Sequence, residues 1–378
     1  MRRGAKAAMT WTVAAALAYA GCANLDDVTT VKDLRVLAVQ AEPAGFLVDL
    51  DAPGAGAPDA QQATLTALVV DPQGQGRTVT FTGVACPDYL STLQPLEGEA
   101  ARVCPDPTSA AALPPPFDTA LATTVLASAE QPGMTAPAPA STIEYRPQVR
   151  YGLTPLQLAL FFSPATTGDP DLDAAVAYDR DFGMDAIVDL TFGLGAERAR
   201  VLKRVVYWPL LPAAQVPATF TQPQLPNQNP RLVDLQLFRH RDTTTGYPDD
   251  PYPDAAPTMS LAAKDHLYLL PVPAPDAAER YLLRERNTQT NVVETVDVPR
   301  ELLTYQFYAT AGTFSPDSRQ SELSPILTSP DGRVHIDSEY KPPKATDLPP
   351  DGRVTVWVVV RDERAGTSWD SRTFLITP

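Results

Sequence analysis

The residues of this 378-residue chain best suited to chemistry are carboxylates. Asp169, Asp171 and Asp173 alternate within "GDPDLDAAVAYDRD", a spacing that can gather oxygen ligands around calcium. A helix-loop-helix calcium site needs glycine at the sixth position and a bidentate glutamate at the twelfth, and here Ala174 and Arg180 stand there. The stretch therefore reads as a solvated acidic loop, with the three aspartates kept as calcium candidates. Nearby, Asp179, Asp181 and Asp185 are the carboxylates that an enzyme acting on glycan or peptide would use, if two of them met across a pocket. A second acidic loop, "TTTGYPDDPYPDAAP" at 243–257, interleaves Tyr247 and Tyr252 with carboxylates. Such tyrosines bind sugars or peptides, or pin the loop onto its own domain; the second is expected here.

Other chemistry is sparse. His240, His266 and His335 are too far apart in sequence to form a local metal signature and read as surface or strand histidines. There is no nucleophile elbow, no P-loop and no dinucleotide fingerprint. "TFGLGAERA" carries Gly193 and Gly195 without the third glycine, and reads as a hairpin turn. No nucleophile, base and orienter can be nominated together, so the expectation is a protein without enzymatic activity and without a cofactor.

The three cysteines bear on compartment. Arg2, Arg3 and Lys6 precede an uncharged, mostly small and apolar run from Ala7 to Ala20, the plan of a signal peptide and too short to span a bilayer, which takes about 20 apolar residues. Ala20-Gly21-Cys22 resembles a bacterial lipobox, with Tyr19 where Leu is usual. In an exported chain Cys86 and Cys104, each followed by Pro-Asp, can form a disulfide worth roughly 3 kcal/mol by loop closure. Cys22 is then left over, and thioether lipidation consumes it. Cleavage after Ala20 without lipid is the rival outcome. Ala23 in place of Asp favours the outer membrane. Without the leader, 27 basic residues against 45 acidic leave a net charge of −18, the opposite of a nucleic-acid binder. The membrane, through lipid, and a protein or glycan of the envelope are the partners expected.

The elements that must position these residues read as strands. The 40 prolines punctuate short runs rich in Val, Leu, Thr, Phe and Tyr. Asp33–Pro43 is one such run. Ala63–Cys86 reads as strand, Asp-Pro-x-Gly turn, strand, and so as a hairpin; residues 51–62 form a loop before it. Pro105–Ser141 is a long Ala- and Pro-rich insertion, after which strands resume near "STIEYRPQVRYGL". "LTPLQLALFF" fits either a helical turn or a strand. Residues 184–211 form a hairpin ending near Trp208, and residues 351–377 repeat its plan. "VKDLRVLAVQAEP" pairs likewise with "NPRLVDLQLFRHR", and "VTFTGVACPD" with "TYQFYATAGTFSPD". Three ordered matches predict a duplicated unit.

The expected fold is therefore all-β. It has a signal peptide at 1–21, a tether at 22–32 that needs no fold, and a β-sandwich at 33–208. A Pro-rich linker at 209–230 leads to a second sandwich at 231–378, and the immunoglobulin-like arrangement is the leading candidate. Trp357 and Trp369 should be core or hairpin-face aromatics of the second unit. The lipobox-type Cys22, "DLRVLAVQAEP", "DPQG", "NQNP", "YATAGTFS" and "VTVWVVVRDERAG" together resemble the uncharacterised surface lipoproteins of myxobacteria. That resemblance implies immunoglobulin-fold modules displayed on a lipid and carries no activity. The function expected is a lipid-anchored envelope protein serving as a binding or structural module. An envelope hydrolase and a calcium-stabilised adhesin are the alternatives.

Overall fold

Runs of β-branched and aromatic residues broken by proline and glycine favour strand over helix. The computed structural model describes residues 29–49, 62–72, 78–87, 124–127, 136–137, 144–152, 181–252, 257–262, 264–287, 289–321 and 335–378, with Pro170, Asp173, Ala174 and Ala177 besides. The protein is all-β. Its first half contains β1 (Arg35–Glu42), β2 (Gly45–Val48), β3 (Gln62–Val70), β4 (Thr78–Pro87), β5 (Thr124–Ala127), β6 (Ala136–Pro137), β7 (Glu144–Tyr145), β8 (Gln148–Gly152), β9 (Met184–Leu194) and β10 (Glu197–Pro209). Its second half contains β11 (Leu232–Arg241), β12 (Pro248–Pro251), β13 (Thr258–Ser260), β14 (Leu267–Pro273), β15 (Tyr281–Arg286), β16 (Val293–Val298), β17 (Thr304–Ala309), β18 (Thr313–Ser315), β19 (Ser318–Gln320), β20 (Ser338–Lys341), β21 (Arg353–Arg361) and β22 (Thr367–Thr377). Among the described residues no helix is long and apolar enough to cross a membrane.

The two halves are wired alike. In the first, one sheet runs β1-β3-β7, with β8 also on β3, and the other runs β2-β10-β9-β4-β5, with β6 also on β4. In the second, the sheets run β12-β11-β14-β20-β18 and β13-β22-β21-β17-β19, so that β11-β14-β20 and the whole of the other sheet repeat the order of the first half, with β12 and β18 added at the edges. Even the exceptional pairing repeats, since β2 runs parallel to β10 and β13 parallel to β22 while their neighbours are antiparallel. The three sequence matches fall on equivalent strands: β1 with β11, β4 with β17, and the hairpin β9–β10 with β21–β22. Gly195, at φ +63°, and Ala196 make the tight turn between β9 and β10. Among the described residues the halves differ where β15 and β16 form a separate two-stranded hairpin between β14 and β17.

One expected hairpin is not one. β3 pairs with β1, β7 and β8, whereas β4 pairs with β9, β5 and β6, so the Asp-Pro-x-Gly segment crosses between the two sheets instead of joining neighbours. The crossing begins at Asp71, which is fully buried and accepts a hydrogen bond from the Tyr145 hydroxyl at 3.3 Å. A buried carboxylate with its own partner holds the chain in the interior, where a hairpin turn would be solvated.

The second sandwich is filled by Leu235, Leu269, Phe307, Phe314, Tyr340, Phe374 and the even-numbered valines of β21. Phe314 sits 5.5 Å from Tyr340, and Tyr340 sits 5.1 Å edge-on to Phe374. The odd-numbered face of β21 is buried as well, but against the other half. Trp357 and Val359 pack with Val31, Leu37, Ala38, Leu68 and Val70 in a separate apolar cluster. The Trp357 indole donates to Glu144 at 3.0 Å, and Arg361 donates to the Leu37 carbonyl at 2.8 Å. Two-sided burial explains why β21 reads "RVTVWVVVR" without alternation. Trp357 is thus a contact between the halves and not a core residue of the second alone. The end of the expected tether is also ordered: Val31 donates to Ala309 at 2.8 Å, Ala309 donates to Thr29 at 2.9 Å, and Thr30 donates to the Gly312 carbonyl at 2.6 Å. Residues 29–31 therefore join the second half before the chain enters the first, and the expectation that the tether needs no fold fails for them. Gly312 is required at this contact, because at φ +76° a Cβ would lie 2.5 Å from the Lys341 carbonyl.

Trp357→Ala should cost about 3–5 kcal/mol by opening a cavity between the halves. Trp357→Phe, which loses mainly the bond to Glu144, should cost about 1–2 kcal/mol. Urea unfolding of the two variants checks this, and a loss below about 1 kcal/mol for the alanine variant would contradict a shared cluster.

Candidate functional site

The turn between β21 and β22, "RDERAGT", is a fastening point. Asp362 accepts from the backbone of Arg364 at 2.9 Å and of Gly366 at 2.6 Å, which folds the turn around its own side chain, with Ala365 at φ +74°. A Cβ on Gly366 would lie 2.9 Å from the Gln228 carbonyl, so only glycine lets the Pro-rich connector approach this closely. Asn227, 1% exposed, donates to Asp362 and to the Arg364 carbonyl, both at 3.2 Å. Asn229 donates to the Ala41 carbonyl at 2.6 Å and accepts from the Thr367 backbone at 2.9 Å. The "NQN" of the connector is therefore held by the first half on one side and by the turn on the other.

Charges are buried at the same point. Arg364, 6% exposed, donates to Glu301, itself 1% exposed, and to Glu279 at 2.5 Å, while its guanidinium lies 4.4 Å over the Tyr281 ring. Lys203, from β10 of the first half and 6% exposed, donates to the Ala365 carbonyl and to Thr367 Oγ1 at 3.2 Å. Burial pushes its ammonium down to about 7, against the pull of Asp362 and with the push of Arg361 and Arg204. Burial likewise pushes the Glu301 carboxyl up to about 7, with Arg364 opposing the rise. The Asp362 carboxyl is raised by burial too, and the bonds from Gly366 and Asn227 oppose it.

Beside this cluster lies a cleft of about 310 Å³ between the end of β10, the connector and the start of β15. Its wall includes Phe182, Trp208, Phe220, Leu225, Tyr281 and Arg284. Phe220 and Tyr281 are buried, while Phe182 and Trp208 are half-buried rings. The connector is held open as a wall by Gln224, whose amide spans the backbone of Leu211 at 3.0 and 2.8 Å. The charged groups of the wall are closed on opposite charges. Arg284 meets Asp181 at 3.2 Å, Arg280 meets Asp297 at 2.8 Å and Asp276 meets Arg231 at 3.4 Å.

No family model and no curated protein matches the chain. Among solved structures, the comparison returns a 1.5-MDa bacterial ice-binding adhesin in a study of its retention on the host cell surface, at 10% identity and TM-score 0.19, covering 92% of this chain and 65% of that one. It also returns the dimeric latent PorU of Porphyromonas gingivalis, at 10% identity and TM-score 0.17, covering 91% and 24%. The adhesin InvE of Yersinia pseudotuberculosis follows at 10% identity and TM-score 0.15, covering 89% and 58%. The chain thus spans less than two thirds of the length of each.

The residues singled out by sequence are scattered. Asp181 and Asp185 are taken by separate partners, Arg284 at 3.2 Å and Arg204, so they form no catalytic pair. Asp179, Asp169 and Asp171 lie outside the described residues, as do Cys22 and Cys104; Cys86 is on β4. Asp173 has helical backbone, where a solvated acidic loop is expected. Among the described residues no group of three His, Cys, Asp or Glu side chains could hold a metal ion. The three histidines each meet a different carboxylate: His240 with Asp250 at 3.8 Å, His266 with Glu339 at 3.1 Å and His335 with Asp337 at 3.5 Å. The tyrosines of the second acidic loop pin it to its own sandwich, as expected. Tyr252 donates to the His266 carbonyl at 3.3 Å beneath Arg239, and Tyr247 packs 5.9 Å from His335. What sequence reasoning missed is Lys203, Glu301, Arg364, Trp208 and the cleft; the quoted "NQNP" and "RDERAG" were the signal, since they are the two sides of the fastening.

Between pH about 7 and 10.5 the unfolded chain keeps a proton on Lys203 that the folded chain has released, so stability climbs with pH across that window. Glu301 acts oppositely at lower pH: between about 4.5 and 7 the folded chain holds the extra proton, and stability falls as pH rises. Lys203→Met should remove the upper climb, changing the stability difference from wild type by on the order of 1–2 kcal/mol between about pH 7 and 9. Urea unfolding at both pH values tests it, and parallel curves for the two proteins would refute it. Arg364→Ala, which leaves Glu279 and Glu301 without their cation, should cost about 3–5 kcal/mol by the same assay.

Proposed function

We propose that the chain is an exported protein, held at the outer membrane by lipid on Cys22, that acts as a non-enzymatic binding module with the junction cleft as its site. The observation that carries this reading is the pairing of the wall's charges beside half-buried aromatic rings. Asp181, Asp276 and Glu279 each face a guanidinium at 2.5–3.4 Å, and Trp208 and Phe182 offer apolar surface in a concave site. A cleft at the meeting of two sandwiches is a common place for such a site. Lipidation supports the reading because it accounts for the unpaired cysteine at the end of the leader, and the acidic chain suits the envelope surface better than a phosphate-rich partner.

Mass spectrometry of the membrane fraction tests the anchor. The N-terminal peptide should begin at an acylated Cys22, with Cys86 and Cys104 gaining two hydrogens only on reduction; a soluble chain beginning at Gly21 would sink it. Incubation of the purified protein with isolated envelope tests the module. It should co-sediment without releasing new reducing ends or amino termini, and release that is lost in Asp181→Asn would make the enzyme alternative the correct one.

A further inference from the structure

The wall of the cleft selects against charge. Arg280, Arg284 and Arg364 all line it, but each already closes on a carboxylate: Asp297 at 2.8 Å, Asp181 at 3.2 Å and Glu279 at 2.5 Å. A charged ligand would meet equal and opposite neighbours, or would have to break a pair that is partly desolvated. An uncharged ligand disturbs none of them.

The wall also selects for a ligand with one apolar face and a polar rim. Phe220 and Tyr281 each have one ring face covered, by Arg280 at 5.5 Å and Arg364 at 4.4 Å, and both are buried. Trp208 is the largest half-buried ring of the wall, and its indole N–H is buried without a partner, so the ring is what it can present to a ligand. Around it stand planar polar groups. Gln222, exposed, donates its amide to the Arg280 carbonyl at 2.8 Å and keeps its side-chain oxygen as an acceptor. The Arg284–Asp181 pair offers a guanidinium edge and a carboxylate. Planar groups of this kind match vicinal hydroxyls two at a time. The volume of about 310 Å³ suits a short oligosaccharide.

We propose that the cleft binds an uncharged saccharide, with one face of a pyranose ring laid on Trp208 and its hydroxyls on Gln222 and the Arg284–Asp181 pair; this rests on the reading of the chain as a binding module. The apolar C–H face of the sugar takes the ring, and the hydroxyl rim takes the amide and the ion pair. Phe182, half-buried next to Asp181, adds a second apolar ring to the lining.

The test uses the full chain labelled with 5-fluorotryptophan and followed by fluorine NMR, with Trp357, fully buried between the halves, as internal control. The probes are cellobiose, maltose, diacetylchitobiose, a digalacturonate and a decaproline peptide. At least one neutral disaccharide should move the Trp208 resonance and leave Trp357 still, and the digalacturonate should bind at least about tenfold more weakly. By sedimentation with isolated envelope, Trp208→Ala should weaken binding about tenfold or more, while Trp208→Phe and the exposed Gln222→Ala should lose only a few-fold. Because Trp208 touches Gly183, whose Cβ would lie 3.1 Å from the indole, the phenylalanine and Gln222 variants decide the matter if the alanine variant fails to fold. No response to any neutral disaccharide, an equal response to the charged one, or a response to decaproline alone overturns the proposal. Sedimentation that is undiminished in Gln222→Ala and Trp208→Phe, with no disaccharide response, leaves the binding module standing and removes the saccharide from this cleft. No sedimentation at all removes both.

Discussion

A guanidinium taken out of water is costly unless carboxylates and an aromatic face replace its hydration, and Arg364 has both: Glu301, Glu279 and the Tyr281 ring. Much of the molecule follows from that requirement. The turn must present Arg364 inward, which Asp362 achieves by capping the backbone of the turn. Glu279 must sit at the foot of β15, which places that hairpin beside the connector. Once the turn is fixed, its carbonyls receive Lys203 from the first half and Asn227 from the connector. The cleft is the space left between these fastened parts.

The two halves share a wiring diagram but not a set of contacts. In each, one short strand lies parallel to the last strand of the half; sheets of four and six strands make up the first half, and two sheets of five the second. What separates them is what covers the central strand. β21 is covered on both faces by apolar side chains, those of its own core and Leu37, Leu68 and Val70 of the other half, whereas on its counterpart β9 one face carries Asp185 and Asp189, which meet Arg204 and Arg200 of β10. The two similarly wired halves thus differ in what their central strands face, and the cleft lies beside the β15–β16 hairpin, which has no counterpart among the described residues of the first half.

Local pattern carried much of the architecture. Alternation marked β9 and β10, and Gly195 marked the turn between them, because period and turn chemistry are properties of a few adjacent residues. The three paired segments located the repeat for the same reason. What could not be read was anything decided by distant partners. Ala63–Cys86 has the pattern of a hairpin, yet Asp71 and Tyr145 draw the segment between sheets. Trp357 looks like any strand tryptophan until Glu144, 213 positions away, accepts its N–H. The cleft is harder still, since Trp208, Gln222 and Arg284 belong to a strand end, a proline-rich stretch and a hairpin that no spacing rule relates. The run "VTVWVVV", apolar except for Thr355, carries a sign of two buried faces that the strand reading did not use, and a strand that lacks alternation in an antiparallel sheet is the clue to follow.

The segment at Thr29–Val31 gives the molecule a direction of loading. It runs parallel to the end of β17, bonded to Ala309 through Val31 and Thr29 and to Gly312 of the following turn through Thr30. A pull arriving through the N-terminal segment is therefore shared by these hydrogen bonds of the second sandwich before it reaches β1. Val31 packs in the same cluster as Trp357, Leu37 and Leu68, so the load meets the contact between the two sandwiches at once. The turn at Arg364 is a second fastening of that contact, and the cleft lies beside it.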